Sequence, residues 1–226
     1  MAAAGTYAAL EAVLGYQFND ASRLTMALTH RSLSREGRDA SNQRLEFLGD
    51  AVLGLAIAEM LYGLFPYEPE GDLSKRLVSL VNGEQLAMIG QKLELGSYLQ
   101  LSSGEEEQGG RENPSNLEDA LEALLGAIYL DAGLPAVKSV IVKFWEPYAR
   151  ALTAPPKDAK TALQEWAQGR GLALPEYILI SSDGPSHAPL FVIEVRVEGV
   201  APARAEAGVK KVAERLAAEK ILANLA

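Results

Sequence analysis

The chain has 226 residues, 48% of them apolar, with 21 basic and 30 acidic residues for a net charge of -9. That is enough apolar material for a packed core, so a wholly disordered chain is excluded. There is no cysteine, which excludes disulfides and thiolate metal sites. The charge is unevenly spread. Residues 157–226 hold 9 basic and 9 acidic groups, which leaves 12 and 21 in residues 1–156 and places the whole deficit there. The first residues show no basic and apolar signal-peptide pattern. The apolar runs at 51–58 and 123–130 stop at Glu59 and Asp131, short of the roughly 18 residues that a membrane span needs. The expectation is a soluble, cytoplasmic protein with no membrane partner.

Along the chain, apolar residues first recur at helical spacing. The groups are Leu24 and Leu28; Leu45, Leu48, Val52 and Leu55; Leu77, Leu80 and Val81; then Leu117, Leu121, Leu124, Leu125 and Ile128. Gly37, Pro66, Gly71, Gly96, Pro114, Gly133 and Pro135 punctuate these runs. Residues 1–152 therefore read as an all-α domain. Residues 153–160, with Pro155 and Pro156, read as a linker, since paired prolines stop a helix and favour extended backbone. Beyond it, 161–169 has a helical pattern and 176–181 alternates. Residues 190–198 (LFVIEVRVE) have period two and many β-branched side chains, 203–207 suits a shorter strand, and 209–225 is helical again. The order α-β-β-β-α makes 161–226 a small α+β domain.

Two segments of the helical part carry carboxylates on otherwise apolar patterns. In NQRLEFLGDAVL, Glu46 and Asp50 stand at i, i+4 and share a helix face; in NLEDALEALLGAIYL, Asp119 and Glu122 stand at i, i+3. Desolvated carboxylates are costly unless a cation meets them. An arginine or a metal would serve, and for either pair alone a salt bridge or a solvated face remains open. Four inward carboxylates from two helices would form an all-oxygen site. With His30 and His187 the only histidines, such a site suits Mg²⁺ or Mn²⁺ rather than zinc, and sites of this kind stabilise the oxyanions of phosphoryl displacement.

These segments resemble the signature regions of bacterial ribonuclease III. The first motif departs from the family pattern only at Gln43, where the family has an acid. Thr29-His30-Arg31-Ser32, Glu70-Gly71-Asp72, Gly109-Gly110-Arg111 and Glu122-Ala123-Leu124-Leu125-Gly126 resemble further family landmarks in family order. The resemblance implies a Mg²⁺-dependent endonuclease, with Mn²⁺ able to substitute, that cuts double-stranded RNA. It implies 5′-phosphate and 3′-hydroxyl ends with short 3′ overhangs, as in processing ribosomal RNA precursors and other structured transcripts. Glu46, Asp50, Asp119 and Glu122 match the catalytic, metal-binding carboxylates, and Glu70 an acidic position near the cleft. The family is homodimeric, and Phe47 matches the residue that plugs into the partner; ordinary core is the other reading of Phe47. Asn116 and Glu118 depart from the apolar or small residues usual before the second motif. Glu118 is expected to face solvent, and Asn116 has no account from sequence.

Residues 161–226 resemble a double-stranded RNA-binding domain, through TALQEW at 161–166, LPEY at 174–177, GPSHAP at 184–189 and KKVAE at 210–214. Duplex RNA is read by shape, through 2′-hydroxyls and phosphates. Thr161 and Gln164 on the first helix, His187 in a loop, and Lys210 and Lys211 at the start of the last helix are the matching contacts, the lysines adding charge where the helix dipole already favours phosphate. Val209 stands where the family often has serine. Two rival functions follow from the same residues: a non-catalytic duplex-RNA-binding dimer, disfavoured because all four carboxylates are present, and a metal-dependent nucleotide hydrolase, disfavoured by the second domain.

Overall fold

The computed structural model describes residues 7–33, 41–156, 158–184 and 189–225. The chain divides into two compact units, Met1–Pro156 and Lys157–Ala226. The division falls inside the stretch read as a linker.

The described part of the first unit is helical: α1 (Ala8–Leu14), α2 (Ala21–Ala27), a 3-10 turn (Arg31–Leu33), α3 (Gln43–Leu64), α4 (Glu70–Leu80), α5 (Gly83–Lys92), α6 (Leu95–Tyr98), α7 (Ser103–Glu107) and α8 (Pro114–Ala151). Polar caps start several of them. Asp20 accepts from Ser22 N, Asn82 from Gln85 N and Asn113 from Ser115 N, and Pro114 follows Asn113 where its missing N–H costs nothing. Helix α8 is broken at Gly133, whose φ of 79° suits a residue without a Cβ, and Pro135 lies just beyond it.

Helices α3 and α8 form the centre of the core, with Leu53, Ile57, Leu61, Leu121, Leu124, Leu125 and Ile128 all buried. By length and composition alone both helices are long and apolar enough to pass as membrane spans, as core helices of a folded domain also are. A long window averages over Glu59 and Asp131; what the helices bury their apolar faces against here is each other. Trp145 is fully buried and donates its indole N–H to the Leu80 carbonyl, 2.8 Å away. Arg76 is also buried. It grips Glu68 through two bonds of 2.7 and 2.6 Å, stacks over Phe65, and donates to the Leu152 carbonyl at 2.6 Å. A buried charge so paired is satisfied, and it fastens the chain just past the end of α8.

The second unit comprises α9 (Ala159–Gln168), β1 (Glu176–Asp183), β2 (Leu190–Val197), β3 (Val200–Ala207) and α10 (Lys210–Leu225), with an antiparallel sheet in the order β1-β2-β3. Tyr177 pairs with Val195, and Val195 with Ala203. Val195, Val197 and Ala205 pack with Leu163, Ala167, Ala217 and Ile221 of the two helices. Strand β3 is longer than the sequence suggests because it includes Pro202, which an edge strand tolerates. Helix α9 likewise begins two residues before the expected 161, capped by Asp158, whose carboxylate accepts from Lys160 N and Thr161 N.

Candidate active site and nucleic-acid interface

Two glycines let α3 and α8 touch. A Cβ at Gly49 would lie 1.8 Å from the Glu122 carbonyl oxygen, and one at Gly126 would lie 2.2 Å from the Leu45 carbonyl oxygen. Backbones this close leave no room for a side chain between them. The crossing sets the turn carrying Glu46 and Asp50 beside the turn carrying Asp119 and Glu122. Both glycines belong to the sequence motifs, but nothing in a single sequence says that they face each other.

The electrostatics report this gathering. Burial pushes the Glu122 carboxyl up to about 8, helped by the negative charges of Asp50, Glu118, Glu46 and Asp119. Glu46 is raised by burial and by Asp119, and Asp119 by burial, while Arg31 opposes both shifts and His30 opposes that of Asp119. The four expected carboxylates thus share one neighbourhood. Glu118 belongs to it too. It is half-buried, its carboxyl is raised by burial and then by Asp119 and Asp50, and its oxygens press on Gly83, where a Cβ would lie 2.5 Å from Oε2. The expectation that Glu118 faces solvent is therefore corrected: the Gly83 turn at the start of α5 half covers it.

Carboxylates crowded into a half-buried site repel one another, so the donor set fits a hard divalent cation. Among the described residues no three His, Asp or Glu side chains close on one point as a finished coordination sphere. Glu70 heads α4 and accepts from Ser74 Oγ at 2.9 Å; it is not among the charges that shift Glu46, Asp119 or Glu122. Gln43 is exposed at the start of α3. Phe47 lies on the outside, 81% exposed, so the core reading of it fails. Exposed Ala51, Leu55, Ala58 and Tyr62 continue its face along α3.

Sequence reasoning missed Arg31 as a cation beside this site. It sits on a turn tied down on both sides, by His30 N to the Gln100 carbonyl at 3.0 Å, Asn42 N to the Thr29 carbonyl at 2.9 Å, and Ser102 N to Ser32 Oγ at 3.0 Å. The Thr29–Ser32 landmark was the available signal. Asn116 gains its account as well. It is buried, and its amide donates to Glu105 Oε1 and the Gly110 carbonyl, both at 2.9 Å, pinning the loop ahead of α8.

In the second unit, Thr161 and Gln164 are exposed on α9, and Lys210 and Lys211 are exposed on the first turn of α10. His187 lies outside the described residues, as do Pro185, Ser186 and Ala188. Hard oxygen donors gathered on crossing helices serve phosphoryl chemistry, and a lysine- and amide-bearing helix pair on a three-stranded sheet serves duplex RNA; together they define a nuclease that carries its own duplex-binding module.

The comparisons with known proteins agree. Residues 20–147 match the family model described as Ribonuclease-III-like, and residues 159–225 the double-stranded RNA binding motif. Ribonuclease 3 of Ehrlichia ruminantium (strain Welgevonden) is 47% identical over 218 residues, covering 96% of each chain. Ribonuclease 3 of Anaplasma phagocytophilum (strain HZ) is 51% identical over 212 residues, covering 93% of this chain and 88% of that one. The solved nuclease domain of ribonuclease III from Campylobacter jejuni superposes with a TM-score of 0.60 at 44% identity, covering 63% of this chain and 97% of that one. The chain belongs to the ribonuclease III family and is an endoribonuclease that acts on double-stranded RNA.

Proposed function

We propose that Glu46, Asp50, Asp119 and Glu122 form a divalent-metal site at which the phosphodiesters of duplex RNA are hydrolysed. The observation that carries this reading is the crowding of four carboxylates around Glu122 where α3 crosses α8. Mg²⁺, or Mn²⁺ in its place, would supply an activated water and offset charge on the phosphoryl oxygens when bound. The chain's own part is to hold the donors, with α3 presenting Glu46 and Asp50 on one face and α8 presenting Asp119 and Glu122. On meeting the cation, Glu122 would release to solvent the proton that its burial retains at neutral pH. Water attacks phosphorus, the bond to the 3′-oxygen breaks, and the ends left are a 5′-phosphate and a 3′-hydroxyl.

The functional form is a homodimer. The apolar strip of Phe47, Leu55 and Tyr62, respectively 81%, 57% and 76% exposed, is wider than scattered surface residues explain and suits a second copy. The nuclease domain from Campylobacter jejuni has a structurally flexible region involved in its own dimer formation. Two sites facing opposite strands would leave short 3′ overhangs. The substrates are structured transcripts, ribosomal RNA precursors among them, and the setting is the cytoplasm. Incubation of a long RNA duplex and a matched DNA duplex with Mg²⁺ or with EDTA tests the reading: only RNA with the metal is cut, and equal cutting in EDTA contradicts it.

A further inference from the structure

The facing ends of α9 and α10 enclose a groove of about 580 Å³, lined by Thr161 and Gln164 on one side and by Lys211 and Arg215 on the other. Lys211 and Arg215 stand at i, i+4 and so share one face of α10. Lys210, the other member of the lysine pair, does not line the groove. We propose that Arg215 is a further RNA-contacting residue, which takes a backbone phosphate of the duplex beside the one met by Lys211 while Thr161 and Gln164 meet the adjoining ribose. This role rests on duplex RNA binding by the second unit.

Charge in and around the groove supports it. Glu214, next in sequence to Arg215, does not line the groove and is turned to Lys160 of α9, which does, with Nζ and Oε2 2.5 Å apart, so the charge of Glu214 is met by that lysine and not by Arg215. Asp158 lines the groove, but its Oδ1 is occupied by the amides of Lys160 and Thr161 that it caps. The two cations on the α10 wall therefore face a hydroxyl, an amide, an already engaged carboxylate and Lys160, whose charge is met by Glu214. Val209, also on the wall, offers no hydroxyl to a phosphate.

Arg215 bonds Glu219 one turn along α10, and both side chains are over 40% exposed. An exposed pair of this kind is weak. A guanidinium can exchange it for two parallel bonds to a phosphate, a geometry that lysine cannot offer.

The test is the affinity of the full chain for an RNA duplex across a salt series, in a Glu122→Gln background that does not cut. Arg215→Gln raises Kd about five- to tenfold near physiological salt, and it lowers the magnitude of the slope of log Kd against log salt by about one. Glu219→Ala, which frees the guanidinium, binds at least as tightly as the parent. Arg215→Lys keeps the slope and recovers part of the affinity. Two results overturn the assignment. In one, Arg215→Gln leaves Kd and slope unchanged while Lys211→Gln weakens binding. In the other, Arg215→Gln and Glu219→Ala weaken binding equally and lower the melting temperature together, which makes the pair a helix brace. If Lys211→Gln and Gln164→Ala are also without effect, the duplex-binding reading of this face fails along with the role of Arg215.

Discussion

Gly49 of α3 lies against Glu122 of α8, so close that a Cβ at position 49 would sit 1.8 Å from the Glu122 carbonyl oxygen. The same crossing brings Gly126 against Leu45, where a Cβ would be 2.2 Å from the carbonyl oxygen. Glu46, Asp50, Asp119 and Glu122 lie within seven positions of these glycines in sequence, so the contact that packs the core also sets the spacing of the proposed metal ligands.

Gly126→Ala tests that coupling. Alanine is the better helix former by about 1 kcal/mol, so an isolated helix would gain from the change. Here the methyl group must push α3 and α8 apart, at a cost of about 1–3 kcal/mol or more. We expect a net fall in melting temperature and a loss of RNA cleavage larger than the loss of stability explains. Calorimetry and single-turnover cleavage on the same sample decide it. An alanine variant as stable and active as the parent would show that the helices do not meet here.

The raised carboxyl of Glu122 predicts a pH dependence. Its value is about 8 in the folded chain against the ordinary 4.5. Between those values the folded state holds a proton that the unfolded state has lost, so stability falls as pH rises. The contribution is fully present below about 4.5 and gone above about 8. In EDTA, melting temperature should therefore decline more steeply across this window for the parent than for Glu122→Gln. Metal binding must displace the same proton, so half-saturating Mg²⁺ should fall as pH rises towards 8. Parallel pH profiles for the two chains would contradict this.

Much of this architecture is legible in the sequence because periodicity reports burial. The helical spacing of Leu117, Leu121, Leu124 and Ile128 predicts α8, and the alternation at 190–198 predicts β2. The pairings Glu46–Asp50 and Asp119–Glu122 place each pair of carboxylates on one face. What escapes is long-range contact. No local pattern shows Gly49 meeting Gly126 across 77 positions of chain, Glu118 meeting the Gly83 turn, or Arg31 lying near Glu46. Pro202 hides the first half of β3, since a proline reads as a break. Asn116 looks unexplained until the Gly110 carbonyl comes within 2.9 Å of it.

Asn116→Ala removes one buried and one half-buried hydrogen bond and leaves the Gly110 carbonyl without this donor. The expected cost is roughly 1–3 kcal/mol, a drop of about 3–10 °C in melting temperature for a unit of this size. Asn116→Asp should be at least as harmful, because its carboxylate faces Glu105. Thermal melts check both. A melting temperature unchanged in Asn116→Ala would show that the loop is held by other contacts, such as Arg111 to the carbonyls of Gly96 and Leu99.

The two units should divide the labour. A chain ending at Leu152 keeps all four carboxylates, the Phe47 strip and the Arg76 bond to Leu152. It should sediment as a dimer and cut duplex RNA at low salt with Mg²⁺. Without the phosphate contacts of the second unit, its cleavage should fall steeply towards physiological salt. Phe47→Arg, in the full chain, should sediment as a monomer. Superimposable salt curves for the full and shortened chains would show that the second unit is not the main RNA grip.

The most direct test of the carboxylate site is Glu122→Gln, assayed for binding and cutting on one RNA duplex at saturating Mg²⁺. The amide keeps the shape and hydrogen-bonding capacity of the side chain but brings no negative charge to a metal. The expected result is duplex binding as tight as in the parent, with cleavage lower by several orders of magnitude. Near-normal turnover in this variant would contradict the assignment of Glu122, and with it the account of phosphodiester hydrolysis at the crossing of α3 and α8.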